Sequence, residues 1–154
     1  MKTKVEDKTK RNPKTQDLSA IQPERRERYF EATGGRKTAI ARARIYSKGS
    51  GIVINDRDYK EYFKTSKNQI TAASPLELIK IADRVRATIK VSGGGINAQA
   101  AAVRNALAKA LVKFNQDFKK RLRKSGFITR DARMVERKKY GLKKARRAPQ
   151  WQKR

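Results

Sequence analysis

The segment ATIKVSGGGINAQAAAVRNALAKALVKF, residues 87–114, changes its hydrophobic period in the middle. In its first part Ala87, Ile89 and Val91 alternate with Thr88 and Lys90, the two-residue period of a strand with one buried face. After Gly93, Gly94 and Gly95 the apolar residues Ile96, Ala100, Val103, Leu107, Ala110 or Leu111, and Phe114 recur three to four apart, which predicts an amphipathic helix. Arg104, Lys109 and Lys113 lie off that stripe. A half-buried strand needs a sheet, and the sheet's apolar face needs a covering layer. The expected class is therefore α/β or α+β, with one small sheet covered on one face by helices.

Working outward, Thr38 to Tyr46 is a second alternating strand. Ala39, Ala41, Ala43 and Ile45 form a small apolar face for packing under helices, and Ile40, Arg42, Arg44 and Tyr46 form the other. If exposed, the second face presents a basic stripe. Residues 47–51 read as a turn and Ile52-Val53-Ile54 as a short strand ending at Asn55-Asp56, so these two strands are expected to pair as a hairpin. A brief helix is expected over Asp58–Phe63. Ser74-Pro75 with Glu77 combines a cap, a first-position proline and an early acid, and predicts a helix from there to about Ala82, with Leu76, Ile79 and Ala82 inward and Leu78 at the margin. A last helix, Asp117–Lys124, sets Phe118 and Leu122 four apart and is stopped by Ser125-Gly126. No internal repeat is visible.

Charge divides the chain. The net charge is +27, and residues 119–154 contribute +14 of it, with sixteen Lys and Arg against Asp131 and Glu136 alone. Phe127, Ile128, Met134, Val135, Tyr140, Leu142 and Trp151 are spread too thinly there to offset the entropy of ordering. Residues 1–28, rich in Lys, Thr and Gln with Pro13 and Pro23, show neither period. The expected organisation is a flexible extension over 1–28, a globular domain over 29–124 and an extended basic tail over 125–154. A pI near 11.0 calls for an acidic partner, and a nucleic acid is the first candidate because each neutralised phosphate releases a counterion. No apolar run approaches a transmembrane length, no signal-peptide core follows Met1, and the acids of residues 1–28 argue against an organellar transit peptide.

The inventory excludes much chemistry. With no Cys and no His, disulfides, thiolate or imidazole metal sites and nucleophiles or bases of those types are ruled out, and no metal or cofactor is expected. Asp56, Asp58 and Glu61 could hold magnesium, but Arg57, Lys60 and Lys64 bracket them and favour a turn, a helix start and a solvated face. Gly93 to Ala98 meets the dinucleotide-binding fingerprint in letters, with Asp117 at a suitable distance. Yet Asp117 falls between helical segments, and roughly ninety core residues cannot supply that domain. The glycines are better read as a tight turn and a close helix approach, or as exposed amides at a helix start facing a phosphate. Gly34-Gly35-Arg36-Lys37-Thr38 resembles the end of a P-loop only weakly, since Arg36 interrupts it. On a chain this basic, Arg36, Lys37, Arg42 and Arg44 read as phosphate contacts.

These residues add up to a resemblance. Gly93-Gly94-Gly95-Ile96 with Gln99, then Ala102, Arg104, Ala108, Ala110 and Leu111, resembles the signature of the universal S-nine family, the ninth protein of the small ribosomal subunit. The tail, GFITRDARMVERKK (126–139), GLKKARR (141–147), Pro149-Gln150 and the final Lys153-Arg154, is similar to the bacterial form, with Trp151-Gln152 where relatives often have another aromatic residue and a serine. The likeness spans about Tyr29 to Arg154. It implies an α+β fold with a two-layer small mixed sheet, helices on one face, a left-handed strand-helix-strand crossover and a long extended basic C-terminal tail. It further implies a structural constituent of the small-subunit head, not an enzyme, in a cytoplasmic bacterial ribosome rather than an organellar one. The expected partners are small-subunit rRNA, P-site tRNA and neighbouring head proteins, with no membrane and no homo-oligomer. The rRNA candidates are Arg36, Lys37, Arg42, Arg44, Gly93, Gly94, Gly95, Arg130, Arg133, Arg137, Lys138, Lys139, Lys143, Lys144, Arg146 and Arg147. Lys153 and Arg154 are the tRNA candidates, placed by the resemblance at the anticodon stem-loop. The alternatives are a histone-like or nucleoid DNA-binding protein and a nuclease using Asp56, Asp58 and Glu61.

Overall fold

The computed structural model describes residues 28–151. The expected 1–28 extension, except Arg28, and the Lys153-Arg154 tip lie outside them. Five strands form one mixed sheet in the order β1-β2-β5-β3-β4: β1 Tyr29–Arg36, β2 Ala39–Tyr46, β5 Arg86–Ser92, β3 Gly51–Ile54 and β4 Arg57–Asp58. The pair β3/β5 is parallel and the other three pairs are antiparallel. The helices are α1 Tyr59–Tyr62, α2 Ser66–Ile79, α3 Ile96–Phe114 and α4 Phe118–Lys124. The fold is thus α+β.

The alternation read from sequence sets the layers. Ala39, Ala41, Ala43 and Ile45 are fully buried, as are Ala87 and Ile89 from the neighbouring strand. The small alanine faces let α3 lie directly on β1 and β2, and Leu107 and Leu111 complete the layer. Against its other side α3 takes α2 and α4. Buried positions therefore run round most of α3, including Ala102, Asn105 and Ala108, and not along one stripe. Ile96, expected inward, is exposed because it is the first residue of the helix, just beyond the sheet.

The elements depart from the sequence reading in three places. β2 and β3 do not pair as a hairpin, since β5 lies between them and bonds to both. Its Ala87, Ile89 and Val91 continue the same apolar face, and the loop after Tyr46 need only span about 9.6 Å, two inter-strand spacings. The second is β1, a whole strand over a stretch to which the sequence reading assigned no element. Gly34 is there because an added Cβ would sit 2.3 Å from the Ala106 backbone nitrogen. The stretch weakly resembling a P-loop is the end of β1 and the turn at Lys37-Thr38, with Lys37 at φ 51.

The third is α2, which begins at Ser66 and carries Pro75 inside it. Proline has no N–H for the carbonyl four residues back. The Ser74 hydroxyl donates to that carbonyl, of Thr71, at 2.9 Å, and so satisfies the group proline leaves open. Ser74 is an internal patch, not a cap, and the helix ends at Lys80 in the left-handed conformation, before Ala82.

Candidate nucleic-acid interface

The sheet face turned away from the helices carries polar, basic and aromatic side chains. Across it Tyr29 pairs with Tyr46 and Tyr46 with Arg86, Glu31 with Arg44 and Arg44 with Thr88, Thr33 with Arg42 and Arg42 with Lys90. The stripe foreseen on β2 is present, but Glu31 modifies it. Its carboxylate accepts from Nε and Nη2 of Arg42 and from Arg44 Nε at 3.1 Å. The Arg42 hydrogen bonds foremost hold the Glu31 carboxyl below its ordinary range. Glu31 thus leaves the pair a net charge of one, and ties two flexible guanidinium groups to a single carboxylate. Arg44 also lies 4.9 Å above the Tyr29 ring.

The triple glycine has a structural purpose at two of its positions. Gly93 and Gly94 have φ of 70 and 65, and side chains there would strike the Thr38 carbonyl and Ala39. Gly95 caps α3 with no side-chain hydrogen bond and open space around it. Gln99 secures the turn, donating to the Gly93 carbonyl and accepting from the Tyr62 hydroxyl at 2.9 Å. Lys37, exposed at the β1–β2 turn, lines a groove with Thr65, Gly95 and Asn97. This brings Lys37 and the start of α3 together, as far-apart sequence positions.

The chain after α4 returns to the domain before leaving it. Asn105, buried in α3, donates to the Phe127 and Ile128 carbonyls, both at 2.9 Å. Arg104 lies 5.2 Å above the Phe127 ring. Arg36 donates to the Asp131 and Arg133 carbonyls and pairs with the Asp131 carboxylate at 3.0 Å. Its donors therefore serve the protein's own tail. Arg130 packs its guanidinium over Gly35 and donates to the Lys37 carbonyl. Asp131 also takes Arg133, whose hydrogen bonds foremost pull its carboxyl down to about 2.

Over residues 134–151 the described part of the tail has turns but no helix or strand, and nearly every residue is exposed. Glu136 pairs with Lys139 and Arg146, which hold its carboxyl below the ordinary range. Among the described residues, Lys138, Lys143, Lys144, Arg137 and Arg147 form no ion pair. Asp58 caps α1, accepting from the Lys60 amide, and Asp56 sits in a turn at φ 65. No group of three potential metal-ligating residues occurs among the described residues. Asn105 and Glu31 escaped the sequence reading. An uncharged polar residue between Val103 and Ala106 on an alanine-rich helix was the available signal for the first, and Glu31 had none without the register of β1.

The fold and surface define a class: a small two-layer α+β domain with a cationic arm clipped to one edge. Residues 34–154 match the family described as ribosomal protein S9/S16, and this chain belongs to that family. It is 50% identical over 125 residues to the small ribosomal subunit protein uS9 of Cytophaga hutchinsonii, an alignment covering 81% of this chain and 98% of that relative. It is a structural constituent of the small ribosomal subunit and not an enzyme.

Proposed function

We propose that the protein binds small-subunit rRNA in the subunit head, and that its C-terminal tip contacts P-site tRNA. The observation that carries this reading is the arm: over residues 134–151 it is almost wholly exposed, without helix or strand, and densely cationic. Such a segment gains little from its own folding and much from phosphates. Arg137, Lys138, Lys139, Lys143, Lys144, Arg146 and Arg147 supply the phosphate contacts along it. Lys37 and the Gly93–Gly95 turn supply a second group at the start of α3, and Arg42 and Arg44 a third on the sheet. Arg36, Arg130 and Arg133 chiefly aim the arm. The domain proper covers residues 29–124 and the arm 125–154, with Lys153 and Arg154 reaching the tRNA.

The parallel β3/β5 pair requires a crossover, which runs through β4, α1 and α2. We take it to be left-handed, as the resemblance implies. The working place is a cytoplasmic bacterial ribosome, with head proteins as neighbours and no homo-oligomer. Backbone-directed contacts from Lys and Arg position the RNA, and its shape supplies selectivity. The test is sedimentation: the protein should co-migrate with small subunits at high salt, and migration as free protein would refute the reading. A nucleoid role would instead give equal affinity for duplex DNA and rRNA at equal salt.

A further inference from the structure

The open sheet face has a feature that phosphate binding does not use. Tyr29 and Tyr46, cross-strand neighbours on β1 and β2, set their rings 5.9 Å apart and tilted by 53°. Tyr29 is 46% exposed and Tyr46 partly so. Neither ring belongs to the core, which lies on the other face. The Arg44 guanidinium covers Tyr29 from one side and is itself fixed by Glu31. Beside Tyr46 in the register comes Arg86, exposed and drawn against Gly49, and Lys90 stands further along the same strand.

Two aromatic rings on the sheet face opposite the helices, flanked by cations spaced along neighbouring strands, match what an unpaired nucleotide requires. Its base needs a π surface and its phosphates need nearby positive charge. A duplex keeps its bases stacked on one another and could use only the cations. A protein partner would also meet Arg42, Arg86 and Lys90, and among the described residues the acid beside the two rings is Glu31, already engaged by two arginines. Charge thus favours RNA as the occupant.

We propose that Tyr29 and Tyr46 form a base-stacking platform for an unpaired RNA nucleotide, with Arg86 and Lys90 holding the adjoining phosphates. This rests on the RNA-binding reading above and adds a contact to bases. The test uses the full chain and two probes, a single-stranded RNA oligonucleotide and an RNA duplex of the same length. Affinity is measured across a salt series for the wild type, Tyr29→Leu, Tyr46→Leu, Tyr29→Phe and Tyr46→Phe. Stacking predicts a loss of about 5- to 150-fold for single strands in each Leu variant, with the Phe variants near wild type. The salt slope should stay unchanged, because no charge is removed, and duplex affinity should hold. Equal single-strand affinity in wild type and Leu variants overturns the platform and leaves the arm's role standing. An equal loss on both probes also overturns it. If the wild type binds neither RNA, the RNA-binding reading itself fails and takes the platform with it.

Discussion

At Gly34 the missing side chain decides how close a helix can lie to a strand. An alanine there would put its Cβ 2.3 Å from the Ala106 nitrogen and 2.6 Å from the Ala102 carbonyl, both backbone atoms of α3. Neither can yield without moving the helix, so Gly34→Ala should cost about 1–3 kcal/mol or more as overpacking, read from the urea midpoint. Asp131 makes a different prediction. Its folded carboxyl titrates at about 2 against an ordinary 3.8, chiefly through Arg133. A depressed carboxyl contributes its full stabilisation above the ordinary value and loses it as pH falls towards the folded one. The Asp131 clip should therefore be intact above about pH 4 and released as the pH drops towards 2. Carboxyl NMR of Asp131 checks this, and a midpoint near 3.8 would show that the pairs with Arg36 and Arg133 do not persist in solution.

Among the elements, α2 shows how a helix passes through a proline. The Ser74 hydroxyl reaches the Thr71 carbonyl that Pro75 cannot serve, so Ser74→Ala should destabilise by about 1 kcal/mol, the net worth of one hydrogen bond. In a Pro75→Ala background the backbone N–H returns and the same change should cost much less. A double-mutant cycle by chemical denaturation measures the difference, and additive costs would mean the two residues are uncoupled. The clip between α3 and the arm is equally local. Asn105→Ala removes both donors to the Phe127 and Ile128 carbonyls. Amide exchange over residues 127–133 should then accelerate, with the rest of α3 still protected.

Over the whole molecule, charge and topology act on different parts. Replacing Arg137, Lys138 and Lys139 with Gln should flatten the log-log dependence of RNA affinity on salt by about 0.7 to 0.9 for each phosphate no longer neutralised. An unchanged slope would mark those side chains as solvated. Deleting Lys153 and Arg154 should leave incorporation into subunits intact, because the upstream cations remain. It should weaken P-site tRNA binding by about 1 to 3 kcal/mol, most at low ionic strength. Filter binding to reconstituted subunits measures this, and equal affinities at low salt would remove the tip from the tRNA contact.

Much of this architecture is written locally. The alternation in β2 and β5, the period of α3, the stop at Ser125-Gly126 and the charge of the arm are properties of neighbouring residues, so the sequence by itself determined the layers, most of the elements and the demand for a polyanion. The motif around Gly93–Gln99 identified the family by the same route, through residues whose spacing a tight turn constrains. Tertiary structure decided the rest. No local rule places β5 between β2 and β3, because several strands share an equivalent apolar face and only packing under α3 ranks their orders. β1 was illegible because Gly34 answers to a helix some seventy residues away in the chain, and strand periodicity is blurred where a side chain must be absent. That Arg36 lies against Asp131 and Arg133 was not legible across some ninety-five residues of chain, and Glu31 acquired its two arginines only once the register was set. A cation's partner is fixed by distance in space, which composition does not contain.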